Sequence, residues 1–190
     1  NFNEIRKYTG VNKAKNFEIF KDILADNHMS DQAHLFMMAS GKLQALCYKY
    51  EIEKTLRTPD YAGFQLLALN DYSGQGTALV GVLDVFFEEK GYINSAEWRR
   101  FCSPTVPLMR KFVYNNKEIL KADIEIAHFG AEALKQAEIV YTLKDEYGKV
   151  YAQGTLATQD IPVGNLNRTG SLEFPLTDIQ EVKKLNLEIR

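Results

Sequence analysis

Through the first half of the chain apolar residues recur at helical spacing, through the second they alternate, and the change falls near residue 104. Phe17, Phe20, Ile23 and Leu24 predict one helix with Asn16 as its cap, and Leu43, Leu46, Cys47, Tyr50 and Leu56 after Ser40 predict a second. Each is expected to bury one face. Pro59 and Gly63 in "TPDYAG" stop the second helix, and "FQLLALN" follows as a nearly continuous apolar run. A short run of that kind, bounded by turn residues, predicts a strand covered on both sides, as in a parallel sheet. "TALVGVLDVFFEEKGYI" fits neither period cleanly, and "NSAEWRRF" predicts a capped helical turn from Ser95.

From "SPTVP" onward the period is 2. In "ILKADIEIAH" Leu120, Ala122, Ile124 and Ile126 are apolar while Lys121, Asp123 and Glu125 alternate with them, which predicts a half-buried antiparallel strand. The same alternation marks Ile139, Tyr141, Leu143; Val150, Ala152, Leu156; Leu172, Phe174, Leu176; and Leu185, Leu187, Ile189. "DEYGK" predicts a hairpin turn with Gly148 at positive φ. Together these strands predict an immunoglobulin-like β-sandwich over residues 104–190, short of its closing strand. Residues 1–103 form the other expected domain, and the stiff junction at Pro104 and Pro107 favours two packed domains over a flexible string.

Composition narrows the function classes. With 190 residues, 45% of them hydrophobic, the chain can bury a substantial core. A formal charge of −2 with both signs interspersed offers no basic stripe for a phosphate backbone, so nucleic acid is not an expected partner. No apolar run approaches the roughly 20 residues of a membrane-spanning helix, and the amino terminus lacks the order of a signal peptide. A start at Asn1 rather than Met suggests a processed chain or one cut from a longer protein. Cys47 and Cys102 lack metal or redox spacing and read as two buried thiols.

Candidate chemistry concentrates in "GFQLLALNDYSGQGTALVG", residues 63–81. A nucleotide fingerprint would need a third glycine after Gly74 and Gly76 where Leu79 stands, and no Lys-Ser or Lys-Thr pair completes a P-loop. The other reading takes Asn70, Asp71 and Tyr72 as the rim of a ligand site at the end of a buried strand, since an amide and a carboxylate fix sugar hydroxyls and an aromatic face covers a pyranose. Asn70 and Asp71 are equally well placed simply to start a turn. Elsewhere the signals are weaker. Glu51 and Glu53 read as a solvated helix face beside Lys49 and Lys54, and His28, His34 and His128 read as capping or surface residues without metal-ligand spacing. Trp98, near Phe101, suggests packing between the domains, and "NRT" at residues 167–169 is one glycosylation triplet. No serine or cysteine nucleophile stands beside a plausible base.

The runs "NFNEIRKYTGVNKAKNFEIFKD" and "MASGKLQALCYKYEIEKTLRTPDYAGFQLLALNDYSGQGTALVGVLDVFFEEKGY" resemble the carboxy-terminal part of the catalytic barrel of family-two glycoside hydrolases, the bacterial β-galactosidase and β-glucuronidase group. "WRRFCSPTVPLMRKFVY" and "ADIEIAHFG" resemble the start of the sandwich that follows it. The resemblance implies a fold class of the closing part of a (β/α)8 barrel, helices plus one or two strands, followed by an immunoglobulin-like sandwich. It also implies part of a retaining exo-β-glycosidase, with a carbohydrate substrate, no cofactor or metal, the remaining domains of a parent chain as partners, possible self-association, and a periplasmic or secreted location. Asn70, Asp71, Tyr72 and Gln75 would line the sugar site. The two catalytic carboxylates, roughly 5–5.5 Å apart in such enzymes, are expected upstream of residue 1, so the 190 residues alone should be inactive.

Overall fold

The computed structural model describes residues 2–72 and 79–190, and the chain divides into two compact units, Asn1–Ile52 with Gly63–Arg100 and Glu53–Ala62 with Phe101–Arg190. In the first, a 3-10 turn over Phe2–Lys7 precedes helix α1 (Lys15–Asp26), a second 3-10 turn over Ser30–Gln32 leads into helix α2 (Ala33–Leu56), and a short helix α3 (Ser95–Arg99) lies near the end. Helix α1 starts after Ala14 with no side-chain cap, so Asn16 lies inside the helix rather than capping it. Asn94 begins α3 with a full capping box: its side chain accepts the Glu97 N–H, and the Glu97 carboxylate accepts the Asn94 N–H.

The helices bury other faces than apolar spacing suggests. In α1, Phe17 is buried while Phe20 and Ile23 are exposed; in α2, Gly41, Ala45 and Ile52 are buried while Leu43, Leu46 and Tyr50 are exposed. Gly41 explains the choice. A Cβ there would fall 2.2 Å from Cδ1 of Tyr92, so only glycine lets the ring press against the helix. The contact face is selected by small residues, which a search for large apolar side chains passes over.

The expected fold class is overturned. Among the described residues no barrel closes: the chain forms two small antiparallel sheets with few helices. The run "FQLLALN" is not a strand buried on both sides. Leu67 is 90% exposed, and Ala68 adopts φ 63°, a left-handed conformation that breaks an extended run. Only single bridges link Asn70 to Leu83 in parallel and Leu83 to Glu89 antiparallel. Among the described residues the second half carries six strands in two sheets of three.

Those strands are β1 (Thr105–Leu108), β2 (Ile119–His128), β3 (Leu134–Asp145), β4 (Val150–Ile161), β5 (Gly164–Pro175) and β6 (Leu185–Ile189). They pair in the orders β1-β2-β5 and β4-β3-β6, antiparallel throughout. Leu120, Ala122 and Ile124 of β2, Leu143 of β3 and Leu172 of β5 meet Leu176 and Ile179 in one core. Asp145 organises the β3–β4 turn: its Oδ1 accepts the N–H groups of Tyr147 and Lys149, both at 3.0 Å, and Gly148 takes φ 87°.

The alternation fails at one place for a clear reason. From Ile124 to His128 every residue is buried, because bulges interrupt the β2–β5 register and the outer face of the sheet is also covered. Leu56 packs on Val106, Leu108 and Ala127; Arg57 donates to the Met109 carbonyl at 3.0 Å; Asn165 donates to the Thr58 carbonyl at 2.7 Å. Glu53 is accordingly buried beside Arg57 at 3.7 Å, not part of a solvated face. Glu125 is buried against a two-pronged contact from Arg110, whose Nη2 lies 3.0 Å from each carboxylate oxygen. His128 is a core residue rather than a surface one: Nε2 donates to the Glu132 carbonyl at 2.8 Å, which leaves Nδ1 to accept the Thr105 hydroxyl at 2.8 Å.

Candidate functional site

The polar residues after the apolar run are held by backbone pairing first. Asp71 N–H donates to the Leu83 carbonyl at 3.0 Å and Leu83 N–H to the Leu69 carbonyl at 2.9 Å, so two segments lie side by side for a few residues. Gly81 permits the approach, since a Cβ there would sit 2.2 Å from the Asn70 carbonyl carbon and 2.3 Å from the Asp71 nitrogen.

Asp71 is 2% exposed. Its Oδ1 accepts the Gly81 N–H and the Lys90 ammonium, each at 2.8 Å, and its Oδ2 is buried without a hydrogen-bond partner among the described residues. Lys90 also donates to the Gly81 carbonyl at 2.7 Å. Tyr92 donates its hydroxyl proton to Gln44 Oε1 at 2.7 Å, and the Gln44 amide donates to the Val80 carbonyl. Burial and the Asp71 charge push the Tyr92 phenol up to about 12, so it remains a donor at any physiological pH.

A second charged group lies in the same unit. Asp84 is buried, and its Oδ1 accepts the N–H groups of Phe86 at 2.8 Å and Glu88 at 2.9 Å, while Oδ2 takes Lys7 at 3.0 Å. Burial pushes the Asp84 carboxyl up, but those amides and the lysine outweigh it and hold the group below its ordinary value. Lys7 also pairs with Glu88 and lies 5.4 Å from the centre of the Phe86 ring, against which Tyr8 packs edge-on. Glu4 is buried too: desolvation, with the charges of Asp84 and Asp71 adding, pushes its carboxyl up. Burial followed by the charges of Glu4, Asp71 and Asp84 raises the Tyr8 phenol.

Glu4, Asp71 and Asp84 are thus enclosed carboxylates of one unit, with Lys90 meeting Asp71 and Lys7 meeting Asp84. Beside them lies an open depression of about 110 Å³ lined by Tyr8, Lys13, Lys15 and Leu79 among others. That is well below the roughly 300–1,000 Å³ of ordinary small-molecule pockets. Among the described residues no group of His, Cys, Asp or Glu side chains could hold a metal ion and no helix is long and apolar enough to cross a membrane.

Of the residues singled out from sequence, Asn70 is half-buried with its Nδ2 donating to the Asp71 carbonyl at 3.0 Å, Asp71 is enclosed by Lys90 and Gly81, and Tyr72 is 61% exposed. Gln75, Gly74 and Gly76 lie outside the described residues. Lys90, Tyr92 and Gln44 were missed. The signal available was the physical demand of an aspartate at the end of an apolar run for a cation, and "EEKGY" supplies one. Trp98 meets Tyr48 edge-on at 5.8 Å within the first unit. Cys47 is exposed and Cys102 only half-buried, so the two are not a pair of buried thiols. Asn167 donates its amide to the carbonyls of Ile126, Pro162 and Gly164, which occupies the nitrogen that glycosylation would modify.

Residues 118–190, from β2 to β6, match a family described as a domain of unknown function (DUF8488). No curated protein matches the chain.

Proposed function

We propose that the chain is part of a retaining exo-β-glycosidase of β-galactosidase type and contributes one wall of its sugar site, with Tyr72 as the ring that stacks on a pyranose. The observation that carries this reading is the contrast between neighbours: Tyr72 is exposed, while Asp71 beside it is anchored through Lys90 and Gly81. A solvent-facing aromatic on a fixed backbone binds with little ordering cost. The resemblance of residues 63–81 to family-two enzymes supplies the substrate class. The expectation that these 190 residues do not themselves cleave glycosides rests on the same resemblance, which puts the two catalytic carboxylates outside them.

Galactose titrated into the chain, followed by calorimetry or by amide resonances, should show weak binding that Tyr72→Ala removes. Binding indifferent to that change would refute the wall; turnover of a nitrophenyl β-galactoside by these residues alone would refute the assignment as a part. A second reading, in which the two sheets form a non-catalytic carbohydrate-binding or structural module, draws on their being a separate compact unit with its own core. It expects affinity to survive both Tyr72→Ala and Asp71→Ala and to fall with changes on the sheets.

A further inference from the structure

We infer that Lys90 is a positioning residue for the proposed sugar site, acting through Asp71 and Gly81 to fix the backbone that presents Tyr72; the inference rests on the reading of Tyr72 as a stacking ring. Lys90 joins both ends of the segment that leaves at Asp71 and returns at Gly81, with Nζ 2.8 Å from Asp71 Oδ1 and 2.7 Å from the Gly81 carbonyl. It is the cationic partner of a carboxylate enclosed away from water. Removing it would leave Asp71 buried with an uncompensated charge, and the cheapest relief is for Asp71 to swing toward solvent and carry Tyr72 with it. The Gly81 end keeps the Tyr92 hydroxyl, 3.3 Å from the Gly81 carbonyl, and Gln44 on the Val80 carbonyl when Lys90 is lost, while the Asp71 end keeps its backbone pairing with Leu83, so the displacement falls on the Asp71 side chain and on Tyr72, which follows that pairing.

The test uses the whole chain, with Lys90→Met, Lys90→Arg and, as a control for lost stability, Ala45→Gly on the buried face of α2. Below the unfolding transition of every variant, the Tyr72 amide resonance in Lys90→Met should move or split while the resonances of β2 to β6 stay in place. Galactose affinity should fall about tenfold, which is about 1.4 kcal/mol, as the displaced ring no longer covers the pyranose. Lys90→Arg should restore much of both, and Ala45→Gly should disturb neither. An unmoved single Tyr72 resonance, or wild-type affinity in Lys90→Met, overturns the inference. If the wild-type chain binds no galactose, the sugar reading falls and with it the inference, even where the Tyr72 resonance moves and the mechanical role of Lys90 survives. Should Lys90→Met not fold, Lys90→Gln, which also leaves Asp71 without a cationic partner, is read in the same way.

Discussion

Gly41→Ala should destabilise the first unit, although alanine is the better helix residue. In a helix interior the exchange favours alanine by about 1 kcal/mol. At this position the added Cβ would lie 2.2 Å from Cδ1 and 2.4 Å from Cγ of Tyr92, so the ring or the helix must shift. Overpacking of that kind costs about 1–3 kcal/mol. Tyr92 is also tied down: its hydroxyl donates to Gln44 at 2.7 Å, and turning the ring away forfeits a bond of about 1 kcal/mol. The helix gain and the lost bond roughly cancel, and the clash decides the sign, leaving a net loss of about 1–3 kcal/mol. In a unit of this size each kcal/mol lowers Tm by about 4–8 °C. Trp98 is the chain's only tryptophan and lies in the first unit, so its fluorescence in urea reports the unfolding of that unit. A midpoint equal to or above wild type would refute the steric reasoning. In a Tyr92→Ala background, where Cγ and the ring are both gone, the same exchange should reverse sign and stabilise.

In the second unit, Leu143→Ala opens a cavity at the shared core of both sheets and should cost about 2–5 kcal/mol, read by circular dichroism in urea. Burial pushes the Asp145 carboxyl up, but the Lys149 and Tyr147 amides and the Tyr151 hydroxyl outweigh it and hold it below its ordinary 3.8; the stability it lends is present above that value and lost as pH falls through the folded one. Asp145→Asn should therefore flatten the acid limb of this unit's stability profile. Glu4 has the opposite sign: its carboxyl is raised, so its contribution is present below the ordinary 4.5 and lost as pH rises through the folded value. Glu4→Gln should make the first unit relatively more stable at neutral pH than in acid, measured by Trp98 fluorescence at several pH values.

What the sequence made legible follows from which forces act locally. Most strands from Ile119 onward were readable because one face meets a core and the other meets water; the reading faltered from Glu125 to His128, where residues far away in sequence cover the second face, and in β6, where all five residues are half-buried. The Asp145 turn was readable because its hydrogen bonds span at most four residues. The helices were placed but their buried faces were not, because Gly41 and Ala45 carry no hydrophobic signal and their role appears only with Tyr92 in position. The barrel expectation failed at Ala68, whose positive φ no propensity marks. Asp71 stood out as a polar residue ending an apolar run; that Lys90 rather than solvent meets its charge depends on tertiary pairing.

The order β4-β3-β6 facing β1-β2-β5 also sets a sequence of events in time. The β3–β4 hairpin closes through a turn of a few residues, which takes about 1–10 μs in isolation. It lies between β2 and β5, so Ile119 and Pro175 are far apart until the hairpin has formed and shortened the loop that must close between them. The hairpin is thus expected to form first, the β2–β5 ladder to condense on it, and β6 to dock on β3 last. Damage to the Asp145 turn should slow folding, whereas damage to β6 should leave folding speed alone and hasten unfolding.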